Sequence, residues 1–371
     1  MRASNVLGII YASVDDDKIS ELTAVRTIGS VPFAGRYRLI DFALSNMVNA
    51  GITAVGVSTK SNYRSLMDHL GSGKPWDLSR KRDGLTILPP FDLAGNGGVS
   101  RTRIEALHAM LNYMSHSNKE YVLLADANVV ATIDYAALIE NHLQSGADIT
   151  IAYRHGKKPN LPDIMSFVFA DGDRVRHAVV SDDTPEDKDY SLNVLFMKRA
   201  LLEQLVANAL AKGVTDFEKD VINALCDSLY IRGEKIDGFA CTIDSLQTYY
   251  DVSMQLVQGQ YKALFQKDLP VYTKLRDDMP AIYGTKSKAA NSLIADGCVI
   301  KGTVENSILF RGAYVAEGAV VKNSVIMQDS HIGEGAKLNC AVLDKNVVIN
   351  PGKELSGAAT CPLFIGKDVT V

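Results

Sequence analysis

The chain is short of cysteine, tryptophan and net charge: five Cys, one Trp and a formal charge of -4 in 371 residues. Each scarcity removes a class of protein. Cys226, Cys241, Cys298, Cys340 and Cys361 are odd in number, widely spaced and without a CxxC pair, so neither a disulfide framework nor a zinc site is expected and the thiols read as buried and free. The near-neutral balance lacks the basic excess of a nucleic-acid-binding chain. No stretch approaches the ~18 consecutive apolar residues of a membrane span. The opening MRASNVLGII has one basic residue and no secretory cleavage signal before Asp15, Asp16 and Asp17, so a cytoplasmic location is expected. What is present is a chain 47% hydrophobic and 22% charged, long enough for two globular domains and a large core.

Along residues 5–153 two periodicities alternate. NVLGIIYAS (5–13) is an apolar run of strand length ending in small residues. Leu39 to Asn49 carries apolar residues at helical spacing and stops at Gly51, and TAVGVST (53–59) is again strand-like. The pattern repeats as a helix at 103–114, a strand at 121–130, a helix at 135–143 and a strand at 148–153. Such alternation predicts a doubly wound, mainly parallel sheet covered on both faces, with ligands beyond the carboxyl ends of its strands. Two places gain weight on that ground: the loop after the first strand, and Asp126 at the end of YVLLAD. Residues 157–190 read as a charged insertion containing a hairpin, with DDTPEDKD (182–189) as solvated loop, and a helical stretch is expected through 217–229.

The final segment differs in kind. VENSILFRGAYVAEGA (304–319), VKNSVIMQDSHIGEGA (321–336) and LNCAVLDKNVVINPGK (338–353) superimpose at a 17-residue period. The alignment stacks Val304 on Val321 and Leu338, Ile308 on Val325 and Val342, Val315 on Ile332 and Ile349, and Gly318 on Gly335 and Gly352. Internal repetition with short strands and small corner residues predicts a left-handed parallel β-helix of hexapeptide repeats. The expected organisation is an α/β domain over 1–264, a polar linker over 265–289 and the β-helix over 290–371.

This order of domains, together with VPFAGRYRLIDFALSNMVNAGI (31–52), GVSTKSNYRSLMDHL (56–70), EYVLLADANVVATIDY (120–135), SLNVLFMKR (191–199) and DFEKDVI (216–222), resembles the ADP-glucose pyrophosphorylases, the glucose-1-phosphate adenylyltransferases. The resemblance implies ATP and glucose 1-phosphate as substrates, Mg2+ as cofactor and a tetrameric assembly. Family members that catalyse the reaction open the first strand into a glycine-rich loop with an arginine, because a triphosphate must lie against bare backbone amides. Here that segment is YASVDDDKISELT (11–23), without the glycines or the arginine and with Asp15–Asp17 bringing negative charge; Lys18 offers a partial compensation. The family's lysine before VPF is Ile28.

For the metal, the resemblance assigns Asp126 and a second aspartate whose position is Thr242, with Asp244 close by; two carboxylates suit a hard cation that bridges phosphate oxygens. For the sugar phosphate it assigns Ser191 and Asp216, and Arg101 matches an arginine whose neighbouring glycine has become Thr102. No lysine stands near VVSDD (179–183), where the family has one. Ser191, Asp216 and Asp126 are equally readable as hydrogen-bonding groups of the fold. Relatives respond to sugar phosphates at the domain junction, where Arg36, Arg38 and Lys60 are candidates.

A retained scaffold with a degraded loop is similar to the second subunit that accompanies the catalytic pyrophosphorylase in some Gram-positive bacteria. That implies little activity alone and assembly with a catalytic homologue as a mixed tetramer, or with copies of itself. The alternatives are an active adenylyltransferase using Asp126 and Asp244, and a hexapeptide acyltransferase. The acyltransferase needs a histidine in the repeats, and the one present, His331, aligns with Tyr314 and Val348 as a coil-surface residue.

Overall fold

A computed structural model describes residues 3–13, 16–60, 62–88, 102–161, 163–170, 172–180 and 187–371. Asp15, Arg101 and most of the 182–189 charge run lie outside the described residues. The N-terminal half is built on a nine-stranded sheet. Strands Gly84–Leu88, Ala54–Ser58, Val6–Tyr11 and Tyr121–Asp126 lie side by side in that order and are parallel. Lys188–Lys198 enters antiparallel beside Tyr121–Asp126, so the sheet is mixed beyond that edge.

Period-2 alternation divides the side chains between two cores, as expected of a sheet covered on both faces. Val6 and Ile10 pack with the helices Ile40–Asn49 and Tyr135–Ser145, whereas Leu7, Ile9 and Tyr11 face Arg103–Ser115 and Arg199–Ala211. Gly8 is what lets Ile40–Asn49 lie so close: a Cβ there would meet Met47 Sδ at 2.5 Å. Arg199–Ala211 and the helical run from Leu246 to Leu264, with a kink at Gly259, have no counterpart in the sequence expectations.

The C-terminal part is a left-handed β-helix of three five-stranded parallel sheets. Its register reproduces the 17-residue alignment residue for residue: Val304, Val321 and Leu338 stack, as do Ile308, Val325 and Val342, and Val315, Ile332 and Ile349. The β-helix is shorter by two residues per coil where Leu293 pairs with Ile308 and Ile300 with Val315. Its first strand, Ile282–Tyr283, falls inside the stretch expected to be linker, whose polar side chains conceal a short outer coil. Gly318, Gly335 and Gly352 turn the corners at φ of 72°, 66° and 71°. At another corner Asn291, Asn306, Asn323 and Asn339 form a side-chain ladder, and the first three take left-handed φ that asparagine tolerates.

One apolar cluster joins the two parts. Ile28, Val31, Phe33, Phe42 and Tyr249 pack with Ile308, Phe310, Val325 and Met327 of the β-helix, each fully buried. Burial on this scale stabilises by about 1.5–3 kcal/mol per large side chain. Tyr250 Oη donates to Asn323 O at 2.7 Å, and the buried pair Arg26 Nη2–Asp344 Oδ2 spans the junction at 2.9 Å.

Candidate functional site

The strand order reverses between Val6–Tyr11 and Tyr121–Asp126, which places a crevice beyond their carboxyl ends, where Tyr11 and Asp126 pair in register. Asp126 is buried there, and so is its partner, Arg103. The two make a bidentate ion pair, Nη1–Oδ1 2.9 Å and Nη2–Oδ2 2.8 Å. Arg103 also pairs with Asp163 Oδ2 at 2.6 Å and with Glu218 Oε1 at 2.7 Å, and its guanidinium lies over the Tyr11 ring, 4.6 Å from the centroid.

Local structure holds each member. Thr102 caps Arg103–Ser115 in a reciprocal capping box with Glu105, which sets Arg103 at the first helical position. Strand Lys188–Lys198 breaks register between Ser191 and Val194, and Asn193 takes φ 51° in that bulge. Asparagine tolerates this left-handed conformation, and the bulge re-aims its side chain. Asn193 Nδ2 thereby donates to Asp126 Oδ2 at 2.8 Å and to Asp163 Oδ2 at 3.1 Å.

Three carboxylates surround one guanidinium. Burial opposes the charge on Arg103, but Asp126, Glu218 and Asp163 outweigh it and hold its pKa well above the usual value. Burial pushes Glu218 up to about 8 against the pull of Arg103. Burial also raises Asp126, and Arg103 opposes that shift. Three N–H groups point at its two oxygens, the arrangement that an ionised carboxylate accepts.

The other sequence-derived residues are placed as follows. Ser191 is fully buried; its Oγ accepts from Asn193 N at 2.8 Å and donates to Asn193 Oδ1 at 3.1 Å, fixing the bulge. Asp216 Oδ1 accepts from Lys219 N at 2.8 Å at the start of the helical turn that carries Glu218. Asp244 accepts from Asn160 N at 2.9 Å and bonds Ser245 and Thr248, so it braces the start of Leu246–Gln255. Thr242 Oγ1 is buried without a partner. Lys18 Nζ donates to Asn160 O at 3.2 Å, and Ile28 sits in the interdomain core.

Arg103, Asp163, Asn193 and Glu218 were not singled out from sequence. A cation at the first helical position opposes the helix dipole, and asparagine interrupts an apolar strand run; both are readable irregularities.

The Mg2+ implied by the resemblance does not fit these residues. Both oxygens of Asp126 are covered by Arg103 and Asn193, Asp244 is engaged elsewhere, and among the described residues no group of three His, Cys, Asp or Glu is arranged to hold a metal.

A second group of cations lies at the domain junction. Arg26 Nη1 is buried without a partner beside the Asp344 pair. Arg38 Nη1 donates to Ser65 O at 2.6 Å and Ser65 Oγ at 2.9 Å. Burial lowers Arg38 to about 10, with Asp41 opposing and Arg26 adding to the shift. Burial, then repulsion from Arg38 and Arg26, lowers Lys345 to about 7. Of the three residues read as effector candidates, Arg38 is in this group, Arg36 is exposed, and Lys60 is held through its backbone N to Ser13 Oγ at 3.2 Å.

Comparison with known proteins agrees with this architecture. A nucleotidyl transferase family model matches residues 8–162, and a GlmU-like C-terminal hexapeptide model matches 279–358. The chain is 36% identical over 322 residues to the glycogen biosynthesis protein GlgD of Bacillus subtilis (strain 168), covering 85% of this chain and 82% of the relative. It is 37% identical over 319 residues to GlgD of Geobacillus stearothermophilus, covering 86% and 83%. It is 32% identical over 326 residues to the glucose-1-phosphate adenylyltransferase of Pseudothermotoga lettingae, covering 85% and 76%. No helix among the described residues is long and apolar enough to cross a membrane. The fold, the ordered sequence blocks and these identities place the chain in the family that unites GlgD with the glucose-1-phosphate adenylyltransferases.

Proposed function

We propose that the chain acts in glycogen synthesis as a non-catalytic or weakly active regulatory subunit of ADP-glucose pyrophosphorylase. Its partner is a catalytic homologue that makes ADP-glucose from ATP and glucose 1-phosphate. The observation that carries the proposal is Ile28. At the position where the family's catalytic members have lysine, this chain has a fully buried apolar side chain in the cluster joining the α/β domain to the β-helix. A residue that would meet substrate has become part of the scaffold. Ser191 and Asp216, the sugar-phosphate positions, follow the same pattern, since each accepts from a nearby backbone N–H, that of Asn193 and of Lys219. The relatives named GlgD support the role in glycogen synthesis.

In this reading the assembly transmits an effector's binding to the partner through the domain junction. Arg26, Arg38 and Lys345 gather there, and burial with repulsion from the two arginines lowers Lys345 to about 7, a shift that a bound phosphate would reverse. The test is ADP-glucose formation by the chain alone, by a catalytic homologue alone and by an equimolar mixture, with Mg2+ and saturating substrates. The expected result is silence alone and a mixture that exceeds the homologue. Robust turnover by the isolated chain would overturn the proposal. Ile28→Lys is expected to give no turnover and to destabilise, because it places a charge in an apolar junction.

A further inference from the structure

We infer that Arg103 is a built-in replacement for a metal ion, so that the Asp126 pocket of this chain excludes divalent cations. The inference deepens the regulatory reading by naming what closes the pocket.

The geometry is that of a cation site whose cation is covalently part of the chain. Carboxylates from three separate elements converge on the guanidinium: Asp126 from a strand end, Asp163 from the following insertion and Glu218 from a helical turn. A divalent metal would need free oxygens at close range in an octahedral or larger set. The planar guanidinium instead covers both Asp126 oxygens in a fork, at 2.9 and 2.8 Å, which leaves neither free to ligate an incoming ion.

Helix propensity does not account for the arginine. A cation at the first position of Arg103–Ser115 faces the positive end of the helix dipole. Its stabilisation comes from the pocket, and the pocket is built around it. The Tyr11 ring lies under the guanidinium, and the Asn193 bulge aims one amide at both Asp126 and Asp163. Asp163 Oδ1 remains buried without a partner, so this carboxylate is not fully satisfied even with Arg103 in place. Without Arg103 the carboxylates would present concentrated negative charge.

Mn2+ is the probe, used on the full chain and read by loss of the free-ion electron paramagnetic resonance signal and by thermal unfolding. Wild type and Asp126→Asn are expected to retain Mn2+ equally, within twofold. Arg103→Thr is expected to lose roughly 10 °C in Tm. It should also gain one Mn2+ per chain, recover part of its Tm with Mn2+, and lose that gain when Asp126→Asn is added. Mn2+ retention by wild type that Asp126→Asn abolishes would overturn the inference, as would a folded Arg103→Thr chain that retains no more Mn2+ than wild type. If Arg103→Thr does not fold, wild type against Asp126→Asn decides alone. Because metal retention is read without turnover, the outcome is separable from that of the mixture assay.

Discussion

The β-helix and the strand-end pocket solve opposite problems with the same chain. In the β-helix a residue's role is its place in a repeat: Val315, Ile332 and Ile349 are interchangeable layers of one ladder, each covered by its neighbours. In the pocket no role is interchangeable, because Arg103 is held by three particular carboxylates and Asp126 by two particular donors. Apolar stacking tolerates variation in proportion to the area lost, whereas a buried charge left alone keeps its whole desolvation penalty. Loss of one partner should therefore cost more in a charged pocket than loss of one layer in the coil.

The comparison can be sharpened first at the junction, which contains both kinds of contact. Asp344→Ala strands the buried Arg26 and is expected to cost about 3–5 kcal/mol in urea unfolding. Replacing both Arg26 and Asp344 by leucine is expected to recover most of that loss. A double variant as unstable as the single one would show that the pair does more than neutralise itself. Within the coil, Ile332→Ala is expected to cost about 2–5 kcal/mol and Ile332→Val about 0.5–1.5 kcal/mol. Equal losses from the two would break the view that the ladder responds to area.

A smaller effect is a dependence on pH. His142 is buried against Phe196 and bonded to Thr150 Oγ1 at 2.8 Å; burial and then repulsion from Arg232 lower its pKa from 6.5 to about 4. The unfolded chain thus binds more protons between those values. The contribution of His142 is complete above about 6.5 and is lost as pH falls toward 4. His142→Gln should flatten the fall in urea midpoint between about pH 7 and about pH 5; an unchanged slope would assign it to other groups. The smallest effect is expected on the coil surface. There Lys337 and Glu354 pair at 2.6 Å but are 61% and 67% exposed, and Lys337→Ala should cost under about 1 kcal/mol.

The fold was more legible than the site for a reason visible in particular residues. The stacking of Val304 on Val321 and Leu338 follows from spacing alone, since every coil repeats the same local interaction. The helices at 103–115 and 135–145 follow from apolar periodicity in the same way. The antiparallel entry of Lys188–Lys198 was not legible, because strand direction depends on where the preceding insertion delivers the chain. In the site, Asp126 was legible as the polar end of an apolar strand. The rest of the cluster was not: Asp163 lies 37 residues further along, Asn193 67 and Glu218 92 from Asp126, and nothing local marks them as neighbours.

By itself, then, the sequence determined the order of domains, the two periodicities, the repeat register and the absence of glycine from residues 11–23. All of these depend on residue type and spacing at short range. Only the tertiary structure decided that Ile28 belongs to the core joining the domains and that Arg103, a polar first residue of a helix by sequence, neutralises Asp126. Both depend on which distant side chains share a volume without water. Desolvation and ion pairing in such a place are set by the whole set of neighbours, not by the chain on either side.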